Sequence, residues 1–185
     1  LARDARAPLH YVSTAYASAE HAQSADTRSP YVASKRRAED LVRDSGVEWT
    51  MIRPSIVAGH SQTGEIASFQ GFHLFIASML KGRLQILPLE REARCDFVPA
   101  DFVAAAIVQI ATAPLWGRTY WLTAGDEALS IGQMIECGQP FARQLGRDLN
   151  DLTLMPPSDV RRDILPNLPT RLKERVEVLT GLSSV

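Results

Sequence analysis

Tyr31 and Lys35 carry the plainest chemistry in the chain, a phenol and an ammonium set four residues apart. Ser29 is a good N-cap and Pro30 suits a first helical position, so the pattern predicts a helix beginning at Pro30. Side chains at i and i+4 on a helix share one face. An ammonium beside a phenol stabilises the phenolate, and the pair becomes a candidate acid/base unit. Exposed pairs of this type often only decorate a helix, so the weight falls on what precedes them. His10-Tyr11-Val12-Ser13-Thr14-Ala15-Tyr16 reads as a short apolar strand ending in hydroxyls, then a loop, then the helix. Open α/β sheets place ligand-facing groups at such strand ends.

The elements that must position these residues follow from the surrounding pattern. Residues 8–14 are expected to form a buried strand of a mostly parallel sheet, after an irregular lead-in over residues 1–7 and before a loop over 15–28 that contains His21. The helix from Pro30 should run to about Ser45 and end at Gly46 in a left-handed C-cap. Val32, Ala38, Leu41 and Val42 give it an apolar side, and Arg36, Arg37, Glu39, Asp40 and Arg43 are expected in solvent. Residues 48–52 supply a second strand, making a right-handed βαβ unit. Pro54 lacks an N–H and should turn the chain off the sheet, leaving backbone groups free for a ligand.

Further along, Ile66 to Leu80 is expected to be helical, with Phe69, Phe72, Phe75, Ile76 and Met79 available for burial. Short strands are expected at 84–87, 119–123 and 152–155. Asp101 should cap a buried helix from Phe102 to Ala113, and Ser130 a helix that Gly138 and Pro140 interrupt or kink. Small amphipathic helices are expected at 161–165 and 171–179.

Taken together, HYVSTAY, YVASK, IRPSIVAG and ARCDFVPADFVAAAI resemble successive landmarks of the extended short-chain dehydrogenase/reductases. Within these, they are most similar to the fatty-acyl and thioester reductases, the male sterility-type NAD-binding branch. The resemblance covers most of residues 8–135 and becomes diffuse beyond. It implies an α/β fold: the C-terminal part of a Rossmann-like doubly wound parallel sheet, with a small, mostly helical cap on the substrate side. The first domain would span 1–154 and the helical C-terminal cap segment 155–185.

The implied activity is NAD(P)H-dependent reduction of an acyl thioester, bound to CoA or a carrier protein, to an aldehyde or alcohol. Tyr31 would protonate the carbonyl oxygen, Lys35 would hold the nicotinamide ribose, and Thr14, with Ser13 as substitute, would hydrogen-bond the carbonyl. Tyr31, Lys35, Pro54, Ser55, Ile56 and Val57 would contact the cofactor, expected to be NADP with NAD as the alternative. Gln70, Phe72 and His73 would line the substrate pocket. Arg94 aligns approximately with an arginine that binds nucleotide-sugar phosphates in the epimerase branch. Two other readings stand beside this one: a nucleotide-sugar epimerase or dehydratase, and a non-catalytic dinucleotide- or partner-binding module.

Composition narrows the field. The 185 residues are 45% hydrophobic and 22% charged with a formal net charge of −1, and the absence of a basic run argues against a nucleic-acid surface. Cys95 and Cys137 do not form a C-x-x-C pair, so no zinc site or disulfide framework is indicated, and a reducing cytoplasm is expected. The apolar run from Phe102 to Ala111 falls well short of the roughly 20 residues a membrane span needs. No G-x-G-x-x-G run occurs anywhere, so the Gly-rich N-terminal half of a dinucleotide fold is expected on a preceding segment or a partner chain.

Overall fold

The computed structural model describes residues 2–18, 30–69, 72–82, 85–113 and 115–167. In chain order the elements are α1 (Ala2–Ala5), β1 (Leu9–Val12), a 3-10 turn (Ala15–Ala17), α2 (Pro30–Arg43), β2 (Trp49–Pro54), β3 (Ile56–Val57) and α3 (Phe72–Leu80). They continue with β4 (Ile86–Leu87), β5 (Arg94–Cys95), β6 (Phe97–Val98), α4 (Ala100–Thr112), β7 (Arg118–Leu122), β8 (Leu129–Ser130), α5 (Ile131–Gln144), β9 (Thr153–Leu154) and α6 (Pro157–Asp159). Residues 157–167 form consecutive helical turns of α, π and 3-10 type. The expected helix over 171–179, the N-cap Ser29, His21 and Gln70 lie outside the described residues.

The chain divides into two compact units. The first comprises residues up to Ala67 together with Asp96–Asp126 and holds a parallel three-stranded sheet in the order β1-β2-β7. Leu9 pairs with Trp49 and Val12 with Ile52, while Ile52 pairs on its other side with Tyr120. Met51 and Ile52 have no exposed surface, as the doubly flanked central strand of a parallel sheet demands. Ile52, Val98, Val103 and Leu122 form the core, with Ala106, Ile107 and Ile110 of α4 laid against it. The α/β fold with neighbouring parallel strands is as the pattern predicts. Gly46 sits at φ +70°, the left-handed conformation that ends α2.

Several local expectations are corrected. Residues 2–5 form a short helix, and α2 stops at Arg43. Glu39 is 1% exposed whereas Leu41 is 65% exposed, the reverse of their polarity, because Arg53 and Arg43 meet the Glu39 carboxylate inside. The Ile66-to-Leu80 helix begins only at Phe72. α4 begins at Ala100 with Pro99 in the N-cap position, which moves Asp101 into the first turn. There its carboxylate accepts from the Ser61 N–H at 2.8 Å and the Ser61 hydroxyl at 2.7 Å, tying down the loop after Gly59. α4 is buried on one side only, with Phe102 and Val108 exposed.

The second unit comprises the described residues of Ser68–Cys95 and Glu127–Val185. β4 pairs with β9 in parallel and β5 with β8 antiparallel. α5 opens on a capping box in which Ser130 accepts from the Gln133 N–H while the Gln133 side chain accepts from the Ser130 N–H. The helix then runs through Gly138 and Pro140 without the expected interruption. Its stripe of Ile131, Ile135 and Ala142 is buried with Leu149. On the same stripe the buried Gln139 amide donates to Asp148 at 2.7 Å and accepts from the Leu149 N–H at 2.9 Å. That packing outweighs the one backbone hydrogen bond a proline removes.

Among the described residues no helix is long and apolar enough to cross a membrane, and no cluster of His, Cys, Asp and Glu could hold a metal ion.

Candidate active site

The parallel register brings two strand ends to one level. The Ser13 N–H donates to the Ile52 carbonyl at 2.7 Å, extending the β1–β2 ladder by one step, and the Ser55 N–H donates to the Leu122 carbonyl at 3.0 Å. Ser13-Thr14 and Pro54-Ser55 therefore leave the sheet side by side at its carboxyl end, where open α/β sheets receive ligands.

α2 delivers the phenol and the ammonium to this same end. The Lys35 ammonium donates to the Val12 carbonyl at 3.2 Å. The same nitrogen lies 5.9 Å from the centre of the Tyr31 ring and 5.4 Å from that of Tyr11, within the range of cation–π attraction. Tyr31 is 56% exposed, so its ring is open to an incoming molecule. Burial, and secondarily the Glu39 carboxylate, push the Tyr11 phenol up from its ordinary value. The Tyr11 ring lies under the ammonium.

Ser13 and Thr14 are both buried, at 4% and 5% exposure. The Thr14 oxygen accepts a long hydrogen bond of 3.4 Å from the Tyr16 N–H, an interaction that leaves its own O–H to donate elsewhere. The Ser13 hydroxyl lies near enough to Glu39 to help lower the pKa of that carboxyl, without reaching regular hydrogen-bond geometry. Arg36, expected in solvent, instead donates to the Ala17 carbonyl at 3.2 Å and the Ser18 carbonyl at 2.9 Å. It thereby staples the turn after Thr14 to α2.

On the neighbouring strand the expectation of free backbone is corrected. The chain does leave β7 after Pro54, but it re-pairs at once: the Ile56 N–H donates to the Asp96 carbonyl at 3.3 Å and the Ala58 N–H to the Val98 carbonyl at 2.9 Å. Ile56 and Val57 are thus β3, parallel to β6, with Val57 37% exposed. The group left over is a side chain. Among the described residues the buried Ser55 hydroxyl has no hydrogen-bond partner, a costly state for a polar group unless something else satisfies it. A reduced nicotinamide cofactor fits this donor set: an ammonium, an exposed phenol and an unpaired hydroxyl, all at the carboxyl edge of the sheet.

Beside these groups stands an ion pair that sequence reasoning missed. Glu39 takes both ends of Arg53, Oε1 from Nε at 2.9 Å and Oε2 from Nη2 at 2.5 Å, and its Oε2 also accepts from Arg43 at 2.8 Å. Arg53 in turn lies over the Trp121 ring at 4.9 Å. Burial alone would push the Glu39 carboxyl up. Arg53, Ser13 and Arg43 outweigh it and hold the group below its ordinary value. The i+4 spacing of Lys35 and Glu39 was the available signal, but charge on a helix is ordinarily solvated.

Other named residues stand apart. His73 meets Phe69 edge-on at 5.9 Å in the second unit. The Phe72 side chain lies outside the described residues. Arg94 is exposed and donates to the Ala128 carbonyl at 3.3 Å.

Comparison with known proteins bears on the family and the fold. The chain is 34% identical over 107 residues to the aldehyde reductase lnaA of Aspergillus flavus, and 33% identical over 107 residues to the non-canonical nonribosomal peptide synthetase FrzA of Cladobotryum sp.. Each match spans 55% of this chain and only 10% of the relative. Among solved structures, the terminal R domain of the myxalamid PKS-NRPS pathway superposes with a TM-score of 0.63 at 25% identity, covering 97% of this chain and 46% of that one. The reductase domain of a Mycobacterium tuberculosis nonribosomal peptide synthetase gives 0.56 at 20% identity, over 97% of this chain and 50% of its own, a likeness of fold. The sequence profile described as male sterility protein, an NAD-binding type, matches residues 1–107. With more than half its length inside that profile, the chain belongs to the NAD-binding male sterility protein family.

Proposed function

We propose that the chain forms the catalytic and substrate-side portion of an NAD(P)H-dependent reductase that converts an acyl thioester, on CoA or a carrier protein, to an aldehyde or onward to an alcohol. The observation that carries this reading is the Lys35 ammonium, fixed on the Val12 carbonyl at 3.2 Å beside the exposed Tyr31 ring. When bound, the cofactor, NADPH with NADH as the alternative, supplies the hydride.

The chain's own residues do the rest. Thr14, and Ser13 in its place, donate a hydrogen bond to the substrate carbonyl oxygen and polarise it. Tyr31 gives that oxygen its proton as negative charge builds there, and when the C–S bond of the resulting hemithioacetal breaks the oxygen gives up a proton and the sulfur leaves as the thiol. Lys35 keeps the phenolate that results in an environment of positive charge and holds the ribose hydroxyls of the cofactor. Ser55 offers its unpaired hydroxyl to the same ligand, and Pro54, Ile56 and Val57 supply the wall beside it.

The apolar run Phe69, Phe72, Phe75 and Met79 in the sequence suits an acyl chain as substrate better than a nucleotide sugar. A diphosphate needs several charge-assisted contacts. β1 is an edge strand among the described residues, and Val12 is 38% exposed. That edge suits a further strand from another segment or a partner chain that completes the sheet.

The test is to offer the full-length protein acyl-CoA, an acyl-carrier thioester and UDP- or dTDP-hexoses with NADPH, following absorbance and product identity. Reduction of a thioester with release of the thiol is the expected result. Turnover of a nucleotide sugar, with none of any thioester, would overturn the reading.

A further inference from the structure

Glu39 is the most deeply buried charged residue described, and the mechanism above does not use it. It lies one helical step beyond Lys35 on the stripe Tyr31, Lys35, Glu39, Arg43. Its partner Arg53 immediately precedes Pro54 and Ser55 at the end of β2. Arg53 also reaches across to the neighbouring strand β7, its guanidinium lying over Trp121, the residue paired with it in register.

We infer that Glu39 and Arg53 are positioning residues: a buried two-pronged clamp that sets α2 against β2 and so fixes where Lys35 and Tyr31 stand relative to Ser55. The inference rests on the reductase reading for its catalytic consequence but not for its geometry. A carboxylate gripping a guanidinium by both oxygens fixes distance and angle together, which a single contact cannot. Apolar side chains of similar volume commonly hold a fold as well as a buried ion pair does, so cohesion alone does not account for charge at this place. Register does. A helix rises about 1.5 Å per residue, so even a small slide of α2 along the sheet would carry the Lys35 ammonium off the Val12 carbonyl it now meets.

The experiment uses full-length protein with Glu39→Leu/Arg53→Met, which removes both charges and keeps volume, alongside Arg53→Lys, which keeps the charge and loses the fork. Three quantities are read: thermal melting, kcat and KM with an acyl thioester, and the acetylation rate of Lys35 against that of the exposed Lys81, by mass spectrometry. The clamp predicts a folded double variant whose kcat falls about 10- to 100-fold while KM changes less than about 3-fold. Acetylation of Lys35 should rise several-fold and that of Lys81 stay constant. Arg53→Lys should fall between, and should decide the matter if the double variant does not fold. A folded variant with wild-type kcat and wild-type Lys35 labelling overturns the inference, as does a rise in KM alone. Wild-type protein inert toward every thioester, with Lys35 labelling still raised in the variants, would defeat the proposed substrate and leave the clamp standing.

Discussion

The Lys35 ammonium is held 3.2 Å from the Val12 carbonyl, the last backbone acceptor of β1 before Ser13 and Thr14. A helix side chain is thereby anchored to the strand end that carries the hydroxyls, with Tyr31 beside it. The phenol, the ammonium and the Ser13 and Thr14 hydroxyls belong to two separate parts of the chain, α2 and the end of β1, and this one contact ties them together.

Tyr31→Phe tests the acid directly. Because the ring is 56% exposed, melting should move little, while turnover should fall by roughly two to four orders of magnitude, the usual weight of a positioned proton donor. Steady-state assays with the intact protein and NADPH measure it, and near-normal turnover would assign the proton to another group.

Ser55→Ala separates ligand binding from stability. The hydroxyl is buried with no partner among the described residues, and leaving such a group unsatisfied costs about 1–3 kcal/mol. Its removal should leave chemical denaturation unchanged or raise stability by up to about 1 kcal/mol, while KM for NADPH increases. A clear loss of stability would mean that Ser55 serves the fold instead.

The Glu39 carboxyl sets a pH dependence of known sign. Its folded value lies below the ordinary 4.5, so its contribution to stability is fully present above that pH and is lost as pH falls through the lowered folded value. Melting curves taken downward from pH 5 should show this loss in the wild type. The Glu39→Leu/Arg53→Met variant, with no carboxyl to protonate, should show a shallower decline. Parallel curves would contradict the assignment.

Ser130→Ala should cost about 1 kcal/mol by removing the helix cap, since Ser130 accepts from the Gln133 N–H at 3.2 Å. Urea denaturation followed by circular dichroism measures it. A change within error would show that Ile131, Ile135 and Ala142 hold α5 without its cap.

Much of this architecture follows from local pattern. The strand ending in Ser13-Thr14, the Pro30 start with Tyr31 and Lys35 on one stripe, the glycine at Gly46 and the Ser130 cap are short-range effects, governed by steric preference and hydrogen bonding within a few residues. What only the tertiary structure decided are the places where distant groups meet. Glu39 reads as a solvated charge until Arg53 and Arg43 are folded against it, and Leu41 reads as core until no neighbour covers it. Pro54 reads as the end of pairing until β6 offers Ile56 and Val57 a second partner. Asp101 reads as a helix cap until the loop at Ser61 claims its carboxylate. In each case the outcome depends on which groups of other elements are, or are not, folded against the residue, a free energy that no local window of sequence contains.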